Sequence, residues 1–227
     1  MTAAPSTRAR TAALALTLSL AAGLAAGCDT KSFGYAGQPI PEFFPLDKDR
    51  SWTYRECSPD DSACVPSGEI NLEVDKVDTR TSGDTEISTL TYSLVDLATE
   101  DQTPTLTHVI EWSSDTDLGV AIWSWTASDG TVTEFPAPII VGEREMNTGD
   151  SVTTGAFTST FVGLETCSIH WVPDPWECVH MRIEGDGSAP FEGDWWMAST
   201  WGASIMLPAG EDVPWVLAGA TAVAGGE

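Results

Sequence analysis

From Trp52 onward the apolar residues fall on alternate positions, and no stretch after Cys28 sustains an apolar repeat of 3.6 residues. No other feature constrains the fold as much. A period of two places successive side chains on opposite faces of an extended strand, whereas a helix needs three- and four-residue spacings. Trp52 and Tyr54 alternate with polar neighbours; Ile70, Leu72 and Val74 alternate with Asn71, Glu73 and Asp75. Leu90, Tyr92 and Leu94 repeat the pattern, as do Leu106, His108, Ile110 and Trp112. Trp123 and Trp125 run into Ser128-Asp129-Gly130, where Asp-Gly suits a tight hairpin turn, and Thr131 to Glu134 is the return strand. Segments 157–171, 176–183, 191–198 and 204–207 complete the set. About ten short strands at this spacing predict an all-β chain: a single antiparallel β-sandwich or partly closed β-barrel domain. Trp52, Trp112, Trp123 and Trp125 are expected to point into its core.

The first 27 residues are unlike the rest. Arg8 and Arg10 supply a basic start, and Thr11 to Gly27 runs without a charge, dense in Ala and Leu. The run has the length of a secretory leader and falls short of the roughly 20 residues of a spanning helix. Leu24-Ala25-Ala26-Gly27-Cys28 resembles the lipobox of bacterial lipoproteins, with Ala25 where Leu is commonest. The resemblance implies cleavage before Cys28 and lipid on its sulfur. An ordinary signal peptide cut at Ala26 or Gly27, and an uncleaved anchor, are the alternatives. Residues 28–41, with their Gly and Pro and no periodicity, read as a flexible tether, 42–217 as the β-domain, and 218–227 as a frayed tail of small residues after a last edge strand.

Export leaves a very acidic chain. The leader takes away two Arg and no acid, so 8 basic residues face 34 acidic ones, a formal charge of −26 against −24 for the whole sequence. Such a surface repels phosphate backbones and anionic headgroups, which excludes nucleic acid as a partner and leaves contact with the membrane to the lipid on Cys28.

Five cysteines leave one over in an exported protein. If Cys28 carries lipid, Cys57, Cys64, Cys167 and Cys178 remain for two disulfides. Cys57 and Cys64 enclose six residues of turn formers, and Cys167 and Cys178 enclose ten, including Pro173-Asp174-Pro175. Both spacings suit a bridge across the mouth of a loop. The sharper alternative is zinc on Cys167, His170, Cys178 and His180. Asp115-Thr116-Asp117 and Asp186-Gly187-Ser188 are loose oxygen clusters without the full calcium-loop pattern. There is no Gly-x-Ser-x-Gly elbow, and His108, His170 and His180, each a possible base, read as packing or surface residues on their strands. No catalytic residue, metal site or cofactor is expected.

Phe43-Phe44-Pro45-Leu46 and Ser51-Trp52-Thr53-Tyr54 together are similar to the opening of a loose group of bacterial exported proteins and lipoproteins. Those begin Tyr-Phe-Pro-Leu, continue through a Gly-Asn turn and reach Trp-x-Tyr; here Asp49-Arg50 takes the place of the turn. Trp195-Trp196-Met197-Ala198 followed by Gly202 resembles a later element of the group, with Thr200 for its first Gly. The resemblance implies a β-rich envelope domain and supplies no catalytic residues. All ten Trp lie after Cys28. Trp171, Trp176 and Trp201 neighbour turns and are the candidates for a binding rim. The expected function is a lipid-anchored cell-envelope protein, facing periplasm or exterior, whose non-catalytic domain binds or scaffolds an envelope protein or glycan. A Trp-lined carbohydrate-binding module is the alternative, and a carboxylate-based hydrolase the third reading.

Overall fold

Each alternating run becomes a strand. The computed structural model describes residues 40–46, 50–58, 70–115, 119–167, 176–199 and 201–221, with backbone alone for 70–80. All of them belong to one compact unit, Gly34–Glu227. The strands in chain order are β1 (Trp52–Glu56), β2 (Ile70–Ser82), β3 (Thr85–Asp96), β4 (Thr105–Asp115), β5 (Gly119–Ala127) and β6 (Val132–Gly142). They continue as β7 (Ser151–Thr154), β8 (Phe157–Cys167), β9 (Trp176–Glu184), β10 (Gly193–Ala198), β11 (Gly202–Pro208) and β12 (Trp215–Ala220). The Asp-Gly hairpin forms as expected: Gly130 takes a φ of 86°, Ala127 N–H donates to Thr131 O, and Asp129 Oδ1 accepts from Thr131 N–H.

One antiparallel sheet contains all twelve strands, in the order β6-β5-β4-β3-β2-β1-β12-β11-β10-β9-β8-β7. Neighbours in sequence are neighbours in space, and the first strand meets the last, Trp52 opposite Ala220 and Glu56 opposite Trp215. The sheet curls until β6 lies along β7 and β8, where Ile140 N–H reaches Thr154 Oγ1 at 3.4 Å. The all-β antiparallel fold is as expected, and of the two architectures the alternation predicts the sheet takes the partly closed barrel. The seam is protected at β6 by Pro136 and Pro138, which cannot donate to a further strand.

The concave face forms the core. Trp112 of β4 meets Trp195 of β10 edge to face at 5.8 Å, and Phe161, Met181, Ile183 and Phe191 are fully buried around them. A 3-10 turn, Ile40–Phe43, enters this core from the end at which β1 begins. Ile40 and Phe43 are buried, Phe44 packs on Trp112 at 4.6 Å, and Ser114 Oγ donates to Pro41 O.

Several expectations need correction. Composition assigns 28–41 to a tether, yet Ile40 and Pro41 belong to the plug, because their burial outweighs a local composition that reads as linker. The last strand is not an edge: β12 pairs with β1 on one side and β11 on the other. It also extends through Ala220, past the expected start of the tail at 218. Trp123 is outside the core, because the register shifts between Ile122 and Ser124 and leaves it unpaired across the strand. Its indole N–H donates to Ser113 Oγ instead. The leader, Cys28, Cys64, His170, Trp171 and residues 222–227 lie outside the described residues.

Candidate functional site

The second half of the chain puts an unusual polar group on the outer face of the sheet. In β9, Val179, Met181 and Ile183 point into the core, so Trp176, Cys178, His180 and Arg182 share the opposite face. Register brings β8 and β10 alongside: Glu165 pairs with Cys178, Trp196 with His180, and Asp194 with Arg182. One outward patch therefore gathers side chains from three strands.

His180 is its centre. The ring is buried, with Nδ1 2.8 Å from Glu165 Oε1 and Nε2 2.6 Å from Asp194 Oδ1. An ionised carboxylate only accepts, so both bonds are made when the ring carries hydrogens on both nitrogens. Asp194 Oδ1 also accepts from Arg182 Nε at 2.8 Å. Trp196 covers the imidazole, stacked at 4.2 Å with 21° between planes, and its indole N–H donates to Glu165 Oε2 at 2.7 Å. Burial pushes the Glu165 carboxyl up, but hydrogen bonds from Trp196 and His180, with the charge on His180, outweigh it and hold the group below the usual carboxylate range. Asp194 holds Arg182 more firmly charged by its hydrogen bond and its own charge.

At the β8–β9 end, Cys167 and Cys178 form a disulfide with S–S 2.08 Å and Cα–Cα 5.8 Å. The zinc alternative is thereby overturned, since the two thiolates it needs are bonded to each other and both nitrogens of His180 face carboxylates. Among the described residues no cluster of His, Cys, Asp and Glu is arranged to hold a metal. Cys57 is also disulfide-bonded, and its expected partner Cys64 is one of the residues not described. Beside the Cys167–Cys178 bridge, Trp176 and Trp201 stack at 5.7 Å, 18° from parallel. Two of the three expected rim residues are thus brought together, although they come from different hairpins. Trp201 is 42 % exposed and Trp176 half-buried. Trp201 is fixed from behind, where its carbonyl accepts from Trp52 Nε1 at 2.7 Å.

Sequence reasoning missed Trp196, Glu165 and Asp194. Parity was the available signal: Trp195 and Trp196 are adjacent, so one of the pair must face outward. Which residues meet Trp196 depends on cross-strand register, and a bulge between Phe161 and Gly163 sets that register in β8.

The arrangement offers broad aromatic faces, two carboxylates and a guanidinium on a surface braced by a covalent bond. Outside this patch, hydrogen bonds from Thr103, Thr131 and Ser188 hold the exposed carboxyls of Asp101, Asp129 and Asp186 below the usual carboxylate range. The buried Glu192 is tied by both oxygens to backbone N–H groups of Gly187 and Ala189. Asp186 Oδ1 accepts from the N–H and hydroxyl of Ser188, closing a local turn. Comparison with protein-family models, curated proteins and solved structures finds no match.

Proposed function

We propose that this chain is a lipid-anchored protein of a bacterial cell envelope, held by acyl chains on Cys28, and that its β-domain binds a neutral glycan on the outer face of β8–β11. The observation that carries the glycan reading is the partly exposed Trp196 indole, flanked by Glu165, Asp194 and Arg182, on the sheet face that also carries Trp176, itself stacked on Trp201. A sugar ring presents C–H faces that lie against indoles and hydroxyls that bond to carboxylates and guanidinium, which is the mixture found here. The formal charge of −26 after leader removal disfavours polyanionic glycans at distances within a Debye length. The same charge repels anionic headgroups, so anchoring falls to two or more acyl chains, at about 0.8 kcal/mol per buried methylene.

Calorimetric titration with a panel of neutral oligosaccharides tests the binding reading. Saturable binding is expected for at least one, weakened about tenfold by Trp201→Ala and by Trp196→Phe, which keeps a ring on His180 but loses the bond to Glu165. Silence across the panel retires the glycan. For the anchor, palmitate incorporation is expected to vanish in Cys28→Ala and the protein to leave the membrane fraction. Unchanged membrane retention counts against lipidation at this residue.

A further inference from the structure

Inside the barrel, at the end opposite the Ile40–Phe43 plug, the core is not filled. A cavity of about 170 Å³ lies between β3 and β4 on one side and β10, β11 and β12 on the other. Tyr92, Trp195, Met206 and Trp215 form its apolar wall, and His108 and Glu192 supply its ionisable groups. Pro190, Pro208 and Leu94 at its margin are half-buried, so the cavity reaches the surface. A space of this size, mostly apolar, suits one aromatic ring with a short substituent.

The two ionisable groups differ in one respect. Glu192 accepts two backbone N–H bonds and is part of the loop that closes the wall. His108 stacks on Tyr92 at 4.4 Å, 22° from parallel, and makes no hydrogen bond or ion pair among the described residues. Both of its ring nitrogens are therefore available on the wall of an apolar space. His108 is partly buried and the cavity is open at its margin, so a ligand that displaces water from the imidazole must replace the bond that water makes.

We propose that this cavity binds a small, neutral, single-ring molecule carrying a hydroxyl group, which hydrogen-bonds to His108. A hydroxyl both donates and accepts, so it matches either tautomer of a neutral imidazole, whereas a carbonyl matches only one nitrogen. An anion meets the Glu192 carboxylate and a strongly acidic chain. A cation would have to shed its water into a mostly apolar space whose one carboxylate, Glu192, is already braced by the N–H groups of Gly187 and Ala189. Burial lowers the His108 pKa from 6.5 to about 4, so the ring is neutral at pH 7 and fits an uncharged partner. The outer face over β8–β11 plays no part in this inference.

The test is titration of the purified full chain at pH 7 with p-cresol, toluene and benzoate. Intrinsic Trp fluorescence and calorimetry give the readout, since Trp195 and Trp215 line the cavity. The expected result is saturable binding of p-cresol with a dissociation constant on the order of 0.1–1 mM, about tenfold tighter than toluene. In His108→Phe that preference disappears while toluene still binds. In the unmutated protein, p-cresol shifts the imidazole nitrogen resonances of His108, a measurement that needs no variant. The proposal is overturned by any of four results: no saturable binding of p-cresol, equal affinity for toluene, tighter binding of benzoate, or a preference that survives His108→Phe.

Discussion

A partly buried imidazole without a partner among the described residues makes stability depend on pH, and His108 sets the direction. Its pKa falls from 6.5 to about 4 because burial disfavours the charged ring. Between those values the unfolded chain binds a proton that the folded chain refuses, so stability rises with pH across this window. It is fully present above pH 6.5, declines as pH falls, and levels off below about 4. The full shift corresponds to about 3 kcal/mol at 1.36 kcal/mol per unit. Urea unfolding at pH 7 and pH 4.5 should therefore show a large loss in the native chain and a much smaller one in His108→Phe. Equal losses in both proteins would assign the acid sensitivity to other groups. Glu165 is displaced downward instead, so its contribution is present above the ordinary carboxylate range and is lost as pH falls below it. The two effects occupy different parts of the titration. Tyr54 and Tyr92 stay neutral throughout: burial raises both phenols, with Tyr92 adding to the effect on Tyr54 and the Trp112 indole offsetting part of it at Tyr92.

At the scale of elements, local pattern announced most strands and long-range pairing decided what they became. Period-two alternation in Leu90–Tyr92 and in Ile110–Trp112 is enforced by burial on one face, so it can be read from the residues alone, whereas Leu106 continues the pattern yet is exposed. β7 is Ser-Val-Thr-Thr, too short and too polar to stand out, and it exists because Ser151 to Thr154 pair with Phe157 to Thr160. β6 continues past Glu134 through two prolines, which a strand tolerates only at an edge. The outer patch was half legible. Trp176 and Trp201 were identified by their position near turns, but nothing in the local sequence of Glu165, His180 or Asp194 states that they meet.

Backbone approach between elements is also invisible locally, and Gly193 is the sharpest case. It opens β10 at a φ of 130°, and a Cβ built there would lie 2.1 Å from Leu207 O and 2.9 Å from Pro208 Cα. Neither backbone atom can move without breaking the β10–β11 register, in which Gly193 stands opposite Pro208. Gly193→Ala is expected to cost about 3 kcal/mol or more. Gly187 has a φ of 83° and nothing within 4 Å of the same added atom, so Gly187→Ala should cost only about 1 kcal/mol. Comparable midpoints in denaturant for the two variants would contradict the close approach.

For the whole molecule, the pairing of β1 with β12 joins the two halves of the sheet, and the barrel closes where edge strand β6 comes to lie along β7 and β8. Such a ring of strands has two ends to seal, and it treats them differently. At one end the residues before β1 fold inward. Ile40 is fully buried with Gly142 directly against it, its N–H donates to Arg144 O at 3.3 Å, and Ser88 Oγ donates to Leu46 O. At the other end the cavity beside His108 stays open. The plug is thus part of the core even though it precedes the first strand, and its removal should be felt as a cavity rather than as a shortened linker. A chain beginning at Glu42 loses Ile40 and leaves the Ser114 hydroxyl without the Pro41 carbonyl, about 2–5 kcal/mol by analogy with large-to-small core changes. In a domain of this size that lowers the melting temperature on the order of 10 °C relative to a chain beginning at Gly34. Thermal unfolding of the two truncations decides it: coincident melts would return residues 40 and 41 to the tether and leave the barrel held by its strands alone.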